Sequence, residues 1–345
     1  MITYKQYCID IQDSLREAMK RLDEVQKKII FVTDSGKLVA SLTDGDLRRF
    51  LLKGGCLSEK AINAANKTPK FAMSINGAKK LLEDAQYVAV PLINVAGKIE
   101  DIVFSDNQTE SKKYPELNVP VVIMAGGKGT RLDPYTKVLP KPLIPIGERP
   151  IIEHIMHQFA EFGCSEFHII VNYKKQLIKA YFSEINFPYK IYWYDEDKPL
   201  GTGGGLSLLK GHINQTFFLT NCDIIVNSDY KDILHFHKQH GNVTTMVCAY
   251  KNVVIPYGVV ETAENGVIVN LKEKPEISFQ TNTGVYVVEP EILNKIEEGK
   301  AVGFPDIISR KDIGKVAAYP ISENDWLDMG QLDELERMRK RLSKT

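Results

Sequence analysis

No stretch of this 345-residue chain approaches the ~20 consecutive apolar residues needed to cross a bilayer, so the sequence offers no membrane helix. Met1-Ile2-Thr3-Tyr4-Lys5 starts no long apolar run, and a cytoplasmic location is expected. Net charge is also missing: Lys plus Arg and Asp plus Glu both number 44, which removes the electrostatic case for nucleic acid or a membrane surface as partner. The five cysteines, Cys8, Cys56, Cys164, Cys222 and Cys248, are odd in number, irregularly spaced and without a Cys-x-x-Cys, and they read as reduced thiols. What remains is long enough for two or three domains, and its 43% hydrophobic and 26% charged residues are ordinary for a globular protein.

Glycine is concentrated in one informative place. Residues 124 to 142 read Met-Ala-Gly-Gly-Lys-Gly-Thr-Arg-Leu-Asp-Pro-Tyr-Thr-Lys-Val-Leu-Pro-Lys-Pro, directly after an apolar strand expected over Val121 to Met124. Gly126, Gly127 and Gly129 remove side chains that would hold backbone N–H groups away from phosphate oxygens. Arg131 and Lys141 add the positive charge that a phosphorus centre needs as its oxygens become more negative. The loop lacks the Gly-Lys-Ser/Thr ending of a Walker A motif and the spacing of a dinucleotide fingerprint. Downstream, apolar strands alternate with helical patterns: a helix with Ile151, Ile152, Ile155, Met156 and Phe159 on one side, then a strand over His168 to Val171. That order indicates parallel strands joined by crossover helices.

The pattern Gly126-Gly127-x-Gly129-Thr130-Arg131-Leu132, followed by Pro140-Lys141-Pro142, resembles the signature of sugar-1-phosphate nucleotidyltransferases. The resemblance implies a Rossmann-like, mostly parallel α/β sheet over residues 119–345. It places Ala125, Gly126, Gly127, Gly129, Thr130 and Arg131 around a nucleoside triphosphate, with Arg131, Lys141 and Lys274 as the catalytic cations. It further implies Mg²⁺ held by Asp223, in Asn221-Cys222-Asp223 after a strand over Phe217 to Thr220, and by Asp328, in Trp326-Leu327-Asp328-Met329-Gly330. Hard oxygen ligands suit that ion; either aspartate alone reads more often as a turn or capping residue, and the glycine loop tips both toward metal. On the sugar side it implies that Lys274 holds the phosphate, while Gly258, Glu273 and Asn282 meet hydroxyls; a solvated Glu-Lys pair is the plainer alternative.

Glu196 and Gly201, in Glu196-Asp197-Lys198-Pro199-Leu200-Gly201-Thr202, fall at the family's base-recognition position. A carboxylate only accepts hydrogen bonds, and guanine N1–H and N2–H₂ are the adjacent donor pair that matches it. GTP is therefore expected, with CTP or UTP the alternative if Glu196 faces solvent. The sugar 1-phosphate oxygen is ionised at neutral pH and needs positioning rather than a general base. Its attack on the α-phosphorus would release pyrophosphate and leave a nucleoside-diphosphate sugar. Glucosamine 1-phosphate is the first expectation for the sugar, with mannose, heptose and glucose 1-phosphates as alternatives. A non-catalytic nucleotide-sugar sensor would be expected to have lost one of Arg131, Lys141, Asp223, Lys274 or Asp328, and all are present. A glycosyltransferase would carry Asp-x-Asp where this chain has Asn221-Cys222-Asp223.

Residues 1–106 contain a weak duplication: helix, two strands around a Gly-Lys turn, and again helix and two strands, with Gly36 and Gly97 marking the offset. Ser14 opens the first helix with a capping box to Glu17. The arrangement resembles a tandem cystathionine-β-synthase (CBS) pair, an α+β module, most sharply at Thr43-Asp44-Gly45-Asp46. That resemblance implies an adenine nucleotide at Thr43 and Asp46, or a dimerising role in a homo-oligomer in which Asp46 only caps a helix. Polar residues 107–118 read as a linker. His235, His237 and His240 read as part of a surface helix rather than a metal cluster, and His154 and His157 as partly buried structural residues.

Overall fold

The computed structural model describes residues 4–25, 28–83, 87–105 and 117–342. Contacts divide the chain into two units, Met1–Lys112 and Lys113–Thr345. Residues 106–116, which include most of the expected linker, lie outside the described residues, as do residues 343–345 behind the charged C-terminal helix.

The first unit contains β1 (Cys8–Asp10), α1 (Leu15–Val25), β2 (Ile29–Asp34), β3 (Lys37–Thr43), α2 (Asp44–Leu52), α3 (Ile75–Leu82), β4 (Ala89–Ile93) and β5 (Ile99–Phe104). The Ser14 box forms: the Glu17 carboxylate accepts the Ser14 N–H at 2.7 Å, and the Ser14 hydroxyl accepts the Glu17 N–H at 3.3 Å. β2 and β3 are joined by Ser35 and Gly36 at φ 51° and 83°, the doubly left-handed turn whose twist suits a two-residue hairpin. The second hairpin, β4–β5, meets the first where Ile99 N–H donates to the Gly36 carbonyl and Leu38 N–H to the Gly97 carbonyl. Phe31, Ala89, Ile93, Ile99 and Ile102 share one core, so the two copies bury their apolar faces against each other.

The second unit is built on β6 (Val121–Ala125), α4 (Tyr135–Val138), α5 (Ile151–Glu161), β7 (Glu166–Val171), α6 (Lys175–Ser183), β8 (Lys190–Asp195), β9 (Phe217–Asn221), β10 (Ile224–Val226), α7 (Tyr230–Gln239), β11 (Thr244–Val254), β12 (Val259–Thr262), β13 (Ile268–Lys272), β14 (Glu276–Val288), β15 (Val316–Ser322), β16 (Trp326–Asp328) and α8 (Leu332–Leu342). Seven strands form one sheet in the order β8-β7-β6-β9-β14-β11-β15. β8, β7, β6 and β9 are mutually parallel, β14 is antiparallel to both neighbours, and β11 and β15 pair parallel. Val121, Ile123 and Ala125 join the core on one face of the sheet, and Val122 and Met124 the core on the other. A strand covered on both sides needs an unbroken apolar run, which explains the legibility of β6. Among the described residues no helix is long and apolar enough to cross a membrane, and all five cysteines are free.

Two histidine expectations change with packing. His237 points inward from α7, fully buried between Thr245 Oγ1 and Glu289 Oε1 at 2.9 Å each, while His235 and His240 are exposed. His157 is exposed and faces Glu161, and only His154 of that pair is partly buried, against the Ile146 carbonyl. The carboxylate and hydroxyl available across the sheet layer give His237 a buried partner set that helical spacing alone does not reveal.

Candidate active site

The carboxyl ends of the parallel strands open onto a cavity of about 370 Å³. β6 delivers Gly126, Gly127 and Gly129 to its wall, and the turn after them delivers Thr130 and Arg131. Gly129 sits at φ 66°, and an added Cβ would stand 3.0 Å from both Lys141 Cβ and Thr136 Cγ2, so both the backbone bend and the packing require glycine. Lys141, Glu196, Gly201 and Asp223 complete the set of expected residues lining this cavity. Ala125 is fully buried in the sheet and contributes no part of the wall.

Glu196 faces the cavity, not solvent, and is 5% exposed. Its Oε1 is buried without a hydrogen-bond partner, and a Cβ on either Gly126 or Gly205 would come within 2.6 Å of its carboxylate oxygens. Burial raises its pKa. Gly205 and Asn172, whose side-chain amide donates to the Glu196 carbonyl at 2.9 Å, belong to this corner and carry no signal in a local motif.

The two aspartates come together by strand pairing. β10 and β16 run antiparallel with Ile224 opposite Asp328, and Met329 N–H donates to the Asp223 carbonyl at 2.9 Å. The Lys141 ammonium forms an ion pair with the Asp223 carboxylate. Burial works against the Lys141 charge, but the neighbouring negative charges, Asp223 first, outweigh it and raise the pKa above 10.5. Asp328 Oδ1 is buried without a partner, and burial, reinforced by the Asp223 and Glu334 charges, pushes its carboxyl from 3.8 to about 6. Two adjacent carboxylates, Asp223 paired with Lys141 and Asp328 with an unpartnered buried oxygen, fit a hard divalent cation. Among the described residues no group of three or more His, Cys, Asp or Glu is placed to hold a metal, so an ion at this pair would take its remaining oxygens from substrate and water.

Asp328 itself lines a neighbouring cavity of about 360 Å³ with Lys251, Trp326 and Arg337 rather than the first one. The residues expected on the sugar side are not brought to either wall. Gly258 and Glu273 meet across the exposed β12–β13 hairpin, where a Cβ on Gly258 would lie 2.9 Å from Glu273 Oε2, and Lys274 follows it at φ 43°. Asn282 lies on β14, donating to the Tyr286 hydroxyl at 2.6 Å and accepting from Gly284 N–H at 2.9 Å. In the first unit Thr43 and Asp46 face each other at the start of α2: Asp46 Oδ2 accepts the Thr43 hydroxyl at 2.6 Å and its N–H at 3.0 Å, and Arg49 holds the other oxygen.

The chain is 35% identical over 217 residues to the mannose-1-phosphate guanylyltransferase catalytic subunit beta of Dictyostelium discoideum, covering 61% of this chain and 60% of that protein. It is 32% identical over 223 residues to the mannose-1-phosphate guanyltransferase of Saccharomyces cerevisiae, covering 61% of each. Each match thus spans about three fifths of the relative's length. The crystal structure of HddC from Yersinia pseudotuberculosis shares the fold, with a TM-score of 0.54 at 23% identity over 65% of this chain and 99% of that one. The Nucleotidyl transferase family matches residues 120–345, from the strand that opens the glycine loop through the helix behind Asp328; the chain belongs to that family.

Proposed function

We propose that the second unit transfers GMP from GTP to a sugar 1-phosphate, releasing pyrophosphate. The observation that carries the reading is one cavity walled by the glycine loop, Arg131, Lys141, Asp223 and a buried Glu196. An ionised oxygen of the sugar phosphate forms the new bond to the α-phosphorus as the bond to the pyrophosphate oxygen breaks. Arg131 and Lys141 meet the charge that accumulates on the phosphoryl oxygens, and the loop backbone cradles the leaving group. Asp223 and Asp328 would hold a divalent cation, which when bound neutralises phosphate charge. Guanine N1–H and N2–H₂ would supply donors to the Glu196 carboxylate, whose buried Oε1 has no partner. For the sugar, glucosamine 1-phosphate finds no support among the relatives, whose names point to mannose 1-phosphate. Lys274, Glu273, Gly258 and Asn282 would reach it only if the β12–β13 hairpin closes toward the cavity.

The test is a matrix of four nucleoside triphosphates against mannose, glucose, heptose and glucosamine 1-phosphates, scored by pyrophosphate release. GTP with mannose 1-phosphate should be fastest, and equal rates with all four bases would refute the base assignment.

For the first unit, the CBS resemblance supports an adenine-nucleotide site at Thr43 and Asp46, with a role in self-association as the alternative. A nucleotide would have to compete with the closed Thr43–Asp46 box. Titration with AMP, ADP and ATP decides: binding that Asp46→Ala weakens supports the sensor, and no binding removes it.

A further inference from the structure

The loop after β7 carries a group that the chemistry above does not use. Lys174 has φ 51° and ψ 33°, a left-handed conformation uncommon for a residue with a side chain. Its Nζ donates to three successive main-chain carbonyls, Thr136 at 3.3 Å, Lys137 at 2.6 Å and Val138 at 2.9 Å, from 36 to 38 residues away. An ammonium has three N–H donors, and this one directs all three at a single turn. That turn is α4, too short to satisfy its own carbonyls, so an external donor is what fixes it.

α4 in turn holds the glycine loop. Thr136 is 2% exposed, and its hydroxyl lies 3.0 Å from the Gly129 carbonyl and 2.9 Å from Asp133 Oδ1. Gly129 packs between Thr136 and Lys141. A chain of contacts therefore runs from the Lys174 ammonium through α4 and Thr136 to the backbone that presents Arg131 and to the stem of Lys141. Two residues before Lys174, Asn172 binds the Glu196 carbonyl, so one short loop braces the phosphate and the base ends of the cavity. Lys174 does not line the cavity.

We propose that Lys174 is a positioning residue for the nucleotide, clamping α4 so that Gly129, Arg131 and Lys141 hold their places before substrate arrives. The inference rests on the nucleotidyl-transfer reading. Its test uses the full chain as wild type, Lys174→Met, Lys174→Arg and Thr136→Val. Each is measured by calorimetric titration with GTP and magnesium chloride, by KM and kcat for both substrates, and by tryptic nicking after Arg131 and Lys137.

Because small misplacements of a site cost up to about 100-fold, Lys174→Met should bind GTP about 10- to 100-fold more weakly while the KM for the sugar phosphate stays within about twofold. Release of the turn should also speed nicking at Arg131 and Lys137 by about tenfold or more, since cleavage follows local opening. Lys174→Arg keeps a cationic donor and should recover most of the affinity. Thr136→Val keeps the clamp but cuts its link to Gly129, and should lose GTP affinity in the same direction. Lys174→Met with wild-type affinity and wild-type nicking overturns the proposal. If the wild type binds no nucleoside triphosphate, the nucleotidyl-transfer reading fails instead, and nicking alone then decides the clamp.

Discussion

Glu196→Gln separates base recognition from every other part of the site. The side chain is 5% exposed and keeps its shape in the variant, so the cavity is unchanged. Two hydrogen bonds from guanine N1–H and N2–H₂ to a carboxylate are charge-assisted, worth about 1.5–3 kcal/mol each. An amide can accept only one of them, as a neutral bond worth about 0.5–1.5 kcal/mol, and it turns an NH₂ toward the other donor. The difference is about 1.5 to 5.5 kcal/mol, or roughly a 10- to 10,000-fold fall in kcat/KM for GTP at about 1.4 kcal/mol per tenfold. Discrimination against UTP should narrow, because uracil offers an amide one donor and one acceptor. Folding should not suffer, since Glu196 Oε1 is buried without a partner and the neutral amide is cheaper to bury there. The assay is pyrophosphate release with four triphosphates, with thermal unfolding of the same samples as control. A variant that keeps wild-type kcat/KM for GTP, or loses it only in step with a falling Tm, would refute the assignment of Glu196.

Other expectations follow from single contacts. Lys141→Met leaves Asp223 without its ammonium, and breaking a buried pair costs about 3–5 kcal/mol, to be seen as a lower Tm together with lost turnover. Asp328 holds its proton more tightly in the folded chain, so without added cation its contribution to stability is highest at the low end of the window from 3.8 to about 6 and declines as pH rises through it. Denaturant titrations across that window should show the decline in the wild type and its loss in Asp328→Asn; equal slopes would exclude the shift. Gly129→Ala forces a Cβ to within 3.0 Å of Thr136 and Lys141 at φ 66°, and should raise the KM for the triphosphate about tenfold or more, read by initial rates. Ile123→Ala opens a void at a fully buried position in the interior strand β6 and should cost about 2–5 kcal/mol in urea unfolding without changing base preference.

Much of this molecule is written locally. β6 is legible because a strand covered on both faces must be apolar throughout, and the loop after it because glycine adopts a φ of 66° without strain and lets the backbone be approached closely. The Ser14–Glu17 and Thr43–Asp46 boxes are legible because a capping interaction spans three residues. The antiparallel β14 inside an otherwise parallel run is not, since strand order depends on partners far away in the chain.

The sequence by itself determined β2 to β7 and β9, the glycine loop and the identity of the charged groups, since these follow from side-chain size, polarity and backbone freedom within a few residues. Only the tertiary structure decided that Asp223 lies beside Asp328 through β10 and β16, that Glu196 is buried beneath Gly126 and Gly205, and that Lys174 reaches back to α4. It also left Gly258, Glu273 and Lys274 on an exposed hairpin away from the cavity wall. The physical reason is that charge geometry and desolvation arise where distant segments pack, and periodicity along the chain carries no record of which segments meet.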